Sequence, residues 1–249
     1  MEKLSNSLFF QIDALSGVAL SLQRIPHWPS MTARKSDTSK LDLQFPKHEY
    51  DNEPISLYWY ARSARELPLL QYLAFYQTIE FYFPRYSQIE ATRSLQTILK
   101  TPGFNPHRDA DVVKLLMAIK STAGKGFGNE QAQLRATIAE CVQTAALRAF
   151  FDADEDMKRF FTSQDAKTVS SHKVPLGDKE ADLRDAVASR IYDIRCKIVH
   201  TKSGASDTPG DVRLLLPFSK EASLLPYDIE LIQCVARQVL IASSRELAR

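Results

Sequence analysis

The stretch from Leu183 to Lys202, LRDAVASRIYDIRCKIVHTK, decides the fold. Leu183, Val187, Ile191, Ile194 and Ile198 recur at steps of four, four, three and four, so all five lie on one stripe of a helix. The spacing predicts a helix that turns this stripe to the chain's own core. At roughly 100° per residue, its opposite side carries Arg195, Val199, Tyr192, Cys196, His200 and Asp193. That second face is half apolar, whereas a purely solvated face is richer in charge, so it is expected to meet another element or another subunit.

Arg195 and His200, separated by four residues near the end of an apolar-seamed helix, resemble the signature of the HEPN superfamily (higher eukaryotes and prokaryotes nucleotide-binding). The string IRCKIVHTK is similar to the IRN-x-IVH form frequent in its ribonuclease members. The resemblance covers mainly Pro54 to Leu247, and is specific around Arg195 to His200 and the aromatic helix before Pro84. It implies a four- or five-helix antiparallel bundle that dimerises so that both motifs share one cleft. It also implies metal-independent RNA cleavage, in a toxin or antiphage effector. Cys196 stands where the family usually carries Asn, Asp or His.

RNA is cut without a metal when its own 2′-hydroxyl attacks the neighbouring phosphate, with one group moving the proton and another stabilising the developing charge. Under the resemblance, His200 takes the first role, since its unperturbed pKa of roughly 6.5 lets it exchange a proton near neutrality. Arg195 takes the second, its planar fork meeting two phosphate oxygens while staying charged. Glu80 resembles the acid of the first bundle helix, and would orient His200 or neutralise Arg195. Lys197, Lys202 and Tyr192 are the candidate RNA contacts, and an antitoxin or sensor protein is a candidate partner. On a straight helix, residues five apart diverge by about 140°, so either the helix loosens near Thr201 to Gly204 or two chains contribute. The alternative is a non-catalytic HEPN-like module that binds RNA or protein, which Cys196 favours. A third reading is a structural dimer in which Arg195 makes an interface ion pair.

With 249 residues the chain is long enough for a proper core as one large or two small domains. Hydrophobic residues make up 44% and charged residues 25%, the balance of a globular protein. Lys and Arg number 32 against 30 Asp and Glu, a net charge of +2, so any nucleic-acid site is a local patch. Cys141, Cys196 and Cys234 are odd in number and widely spaced, which favours free thiols over disulfides or a zinc cluster. No apolar run approaches the ~20 residues of a membrane span, and the N-terminus lacks a secretory pattern, so a cytoplasmic location is expected. Neither a cofactor nor a metal is expected.

Along the chain, residues 1–53 read as a small N-terminal β-containing subdomain, with strands near Ser7 to Gln11, Val18 to Leu22 and Leu41 to Phe45, and Trp28 in a loop. Residues 54–249 read as the helical bundle domain. Its first strong helix spans Leu67 to Phe83, with Pro68 in the first turn and Pro84 ending it. Helices follow over Tyr86 to Lys100 and Asp109 to Lys120, joined by a turn that holds His107. Gly124 to Gly128 (GKGFG) lacks phosphate-loop spacing and reads as a connector, with Lys125 as a further candidate contact to RNA backbone.

One long helix is expected over Asn129 to Phe151, burying Leu134, Ile138, Val142, Ala145 and Ala149. Asp152, Asp154 and Asp156 open like a calcium loop, but Met157 and Ser163 replace its glycine and glutamate, so the acids are assigned to the start of a helix over Asp154 to Thr162. Ser163 to Gly177 reads as a polar loop holding His172 and Lys173, which would help grip phosphate if the cleft lies near the ends of the motif helix. Ser203 to Gly210 reads as a turn, Leu214 to Phe218 as extended, and Asp228 to about Leu247 as the closing helix.

Overall fold

The computed structural model describes residues 46–123, 130–199 and 214–247, together with Ile12 and Ala14. Its elements are β1 (His48–Glu49), α1 (Asn52–Ser63), α2 (Pro68–Glu80), α3 (Phe83–Leu99), α4 (Asp109–Ala123) and α5 (Glu130–Cys141). After these come α6 (Thr144–Asp152), α7 (Glu155–Thr162), α8 (Gln164–Val169), α9 (Leu183–Val199), α10 (Pro226–Ser243) and β2 (Arg245–Glu246). The protein is therefore mainly helical, with one two-stranded sheet among the described residues. The expected strands at residues 7–11, 18–22 and 41–45, Trp28, the connector at 124–128 and the turn at 203–210 lie outside the described residues.

Helix α9 is organised as its spacing requires. Leu183, Val187, Ile191 and Ile194 are buried and Ile198 packs beside them. Each such aliphatic side chain contributes about 1.5–3 kcal/mol by leaving water. α2, α5, α9 and α10 surround this core, with α1 laid across α2 and α3 along α5. α4 packs on α3 and leaves Val113, Leu116 and Met117 exposed.

Helix α2 is buried on most sides, through Tyr72, Ala74, Phe75, Tyr76 and Ile79. Pro68 opens it, as expected, but it stops at Glu80, and Pro84 lies in the first turn of α3. Proline has no N–H to donate, and the first turn of a helix leaves its N–H groups unpaired, so Pro84 starts a helix instead of ending one.

The single long helix expected over Asn129 to Phe151 is two. Gln143 is extended, at φ −83° and ψ 132°, and caps α6 through its carbonyl, which accepts from the Ala146 and Leu147 amides. The break shifts the helical phase. Leu134, Ile138 and Val142 are buried as expected, but Ala145 and Ala149 face solvent and Leu147 and Phe151 turn inward. Larger side chains fill the core at lower free energy than alanines, and that gain selects the new phase.

Asp154 caps α7 by accepting from the Asp156 and Met157 amides, which is the helix start read from its acids. The expected loop after Ser163 is corrected in part. Ser163 caps α8, accepting from the Ala166 amide, and irregular backbone resumes at Ser170. Residues 214–218 form no strand; the Leu215 amide donates to the Lys197 carbonyl at 2.9 Å, capping α9 near its end, and Phe218 takes φ 65°. Helix α10 buries Ile232, Val235, Ala236, Val239 and Leu240 as expected, but ends at Ser243. Beyond it β2 pairs antiparallel with β1, His48 opposite Glu246 and Glu49 opposite Arg245.

Candidate functional site

Arg190 and Arg195 lie five residues apart on α9 and meet different surroundings. Arg190 points into the core. Its Nε and Nη2 donate to both oxygens of Asp228, at 2.6 and 2.8 Å, while Nη1 donates to the carbonyls of Ala166 and His172, each at 3.1 Å. Its guanidinium lies 5.1 Å from the Phe161 ring centre. Both charged side chains are almost fully buried, at 2% and 1% exposure. This pair joins α9 to the start of α10 and to the irregular stretch after α8, and sequence reasoning did not single it out.

Arg195 sits at the edge of the bundle with 17% of its side chain exposed. Its Nη2 lies 2.7 Å from Glu130 Oε1, and the Tyr76 hydroxyl donates to the same oxygen at 2.8 Å. The guanidinium is 5.4 Å from the Tyr76 ring centre, within cation–π range. Burial opposes the Arg195 charge, but Glu130, Tyr76, Cys196 and Glu80 outweigh it and hold its pKa above the ordinary arginine value.

Three helices bring these groups together, each for a local reason. On α2, Tyr72 donates to the Ile191 carbonyl at 3.2 Å, which docks α2 alongside α9 and sets Tyr76, one turn on, level with Arg195. Helix α5 runs antiparallel to α9, joined at its far end by Arg184 to the Ala139 carbonyl at 2.8 Å. Further along, Arg135 reaches Asp185 at 2.9 Å and Ser189 at 3.0 Å. That ladder delivers Glu130, the first residue of α5, opposite Arg195.

Glu80, one turn beyond Tyr76, completes the cluster. Burial, then the Glu130 charge, raises its pKa, and a hydrogen bond with Glu130 adds to the rise, against the lowering effect of Arg195. Tyr76 is raised far above the ordinary phenol value by burial and by Glu130. The Tyr192 hydroxyl, on the neighbouring face of α9, has its pKa raised by burial and then by Cys196 beside it.

Of the residues singled out in the sequence, Arg195 and Glu80 share this cluster, and Tyr192 lies at its side. Lys197 lies elsewhere on α9. Its Nζ donates to the Val169 carbonyl at 2.9 Å and to Asp193 at 3.0 Å, and Ser170 donates to the same Asp193 oxygen at 2.6 Å. The stretch expected to grip phosphate packs here: the side chains of His172 and Lys173 are exposed, and the His172 carbonyl serves Arg190. His200, Lys202 and Lys125 lie outside the described residues.

Sequence reasoning singled out neither Tyr76 nor Glu130 of this cluster, and Glu130 was the less visible of the two. Its only signal was a carboxylate in the first turn of a helix, which the helix dipole explains without reference to Arg195. Among the described residues, no three His, Cys, Asp or Glu side chains are grouped to hold a metal ion. No described helix is long and apolar enough to cross a membrane.

Comparison with protein-family models, with curated proteins and with solved structures gives no match for this chain.

Proposed function

We propose that the chain is a HEPN-like, metal-independent endoribonuclease, a toxin or antiphage effector whose composite site forms from Arg195 and His200 at a homodimer interface. The observation that carries this reading is the contrast between the two arginines of α9. Arg190 is locked in the core, while Arg195 is held within reach of solvent beside Glu80, a carboxyl group whose pKa is raised. A charge-stabilising guanidinium next to proton-exchanging groups is what 2′-hydroxyl attack requires.

The test is cleavage of cellular RNA in excess chelator. Arg195→Ala and His200→Ala should each lower the rate at least ~100-fold, the usual scale for losing a charge stabiliser or a general acid–base group. The products should carry 2′,3′-cyclic phosphate and 5′-hydroxyl ends. Cleavage that survives either substitution, or that requires added metal, overturns the reading.

The second reading is a non-catalytic RNA-binding module, favoured by the ion pair that Arg195 already makes with Glu130. It calls for RNA binding that weakens in Arg195→Ala, with intact RNA recovered from the wild type.

A further inference from the structure

The acceptor at the centre of the cluster is a single oxygen. Glu130 Oε1 takes both the Arg195 guanidinium and the Tyr76 hydroxyl. Two donors converging on one anionic oxygen form an oxyanion seat, the arrangement that also receives a phosphate oxygen.

The donors and the acceptor are anchored differently. Tyr76 and Arg195 stand on two core helices tied together by the Tyr72 bond to the Ile191 carbonyl, and α9 is further fixed by Arg190 and Asp228. The Tyr76 ring supports the guanidinium independently of Glu130. Glu130, by contrast, stands on a third helix, and a fifth of its side chain reaches solvent. A rotamer change can therefore withdraw this carboxylate while the two donors stay in place.

We propose that Glu130 is an internal stand-in for a substrate phosphate: it closes the Arg195 seat in the resting chain and is displaced when a phosphodiester oxygen binds there. This rests on the reading of Arg195 as the phosphate-binding residue of the site. A chain that caps its own anion seat binds RNA with an affinity reduced by the fraction of time the seat is open.

The test uses the full chain and a fluorescent single-stranded oligonucleotide whose 2′-positions are methylated, so that binding is read without cleavage. Glu130→Ala should bind about tenfold tighter than wild type, the gain expected if the seat is open about a tenth of the time. Glu130→Gln, which keeps the shape and removes the charge, should move the same way. The gain should vanish in Glu130→Ala combined with Arg195→Ala, and Glu140→Gln, on the same helix, should show none of it.

On the unaltered chain, carbodiimide labelling of Glu130 should rise when the oligonucleotide binds. Unchanged affinity in Glu130→Ala, a gain that persists without Arg195, or labelling that falls on binding overturns the proposal. The two readings fail separately. RNA cleavage that needs Arg195 and His200 but ignores Glu130 removes the cap alone. Arg195-dependent tightening without any cleavage removes the ribonuclease and leaves the cap.

Discussion

Asp228→Ala tests the most exacting contact in the protein. The substitution leaves the Arg190 guanidinium buried with only the Ala166 and His172 carbonyls as hydrogen-bond acceptors, since Nε and Nη2 lose theirs together. Removing one member of a buried ion pair costs about 3–5 kcal/mol, because the remaining charge stays desolvated. That is a large share of the roughly 5–15 kcal/mol by which a domain is stable. At about 2–4 °C per kcal/mol for a domain of this size, the melting temperature should fall by about 6–20 °C.

The assay is urea and thermal unfolding followed by circular dichroism, at matched protein concentration. Arg190→Met combined with Asp228→Leu should recover part of the loss, since replacing both charges removes the desolvation cost. Recovery stays incomplete because the His172 carbonyl then loses the donor it has in Arg190, while the Ala166 carbonyl keeps only the Ser170 amide. A cost below about 1 kcal/mol for Asp228→Ala, or a double variant less stable than the single, would refute the reasoning.

Glu80 gives a pH signature. Its raised pKa means that the folded chain binds a proton more readily than the unfolded one, so its contribution to stability declines as pH rises from the ordinary glutamate range through the raised value. Glu80→Gln should remove that decline and raise the melting temperature at pH 7, as read from thermal scans between about pH 4.5 and 7.5; an unchanged difference between variant and wild type across that range defeats it. Gln143 caps α6 without a side-chain bond. Gln143→Ser should therefore add about 0.5–1 kcal/mol in urea melts, and a loss of stability would show that the extended cap needs glutamine. Asp154→Ala removes the acceptor for two amides at the start of α7 and should cost about 1 kcal/mol, whereas Asp154→Ser should retain most of it.

The helices that were legible in the sequence are those whose apolar period survives over at least about two turns. Leu183 to Ile198 on α9 and Ile232 to Leu240 on α10 are examples, because burial of one stripe dictates both the helix and its facing. The break at Gln143 was not legible. No glycine or proline marks it, and the preference for burying Leu147 and Phe151 over two alanines is a tertiary effect. Pro84 was misplaced for a related reason, since the same residue ends one helix or opens the next, and only the packing of Phe83 and Tyr86 distinguishes the two.

The candidate site divides along the same line. Arg195 and Glu80 were singled out through the resemblance that their local motifs carry, and they lie in one cluster. Glu130 reaches them only through the antiparallel run of α5 against α9, a pairing that no local pattern encodes. The separation of Arg190 from Arg195 was equally hidden, because both are arginines on one helix and only Asp228, 38 positions away, marks the first as internal.

The short β1–β2 pairing has a mechanical consequence. It sets residue 48 against residue 246, and the Leu247 amide reaches the Lys47 carbonyl at 2.9 Å, so the two backbones run side by side at one edge of the helical body. Tension applied through these two strands would load their hydrogen bonds one after another, as in a zipper. The Arg245 contact with Asp51 would be the next to feel the force. The clasp should part at low force while α2, α5, α9 and α10 remain folded, which makes it the natural rupture point in a single-molecule pulling experiment.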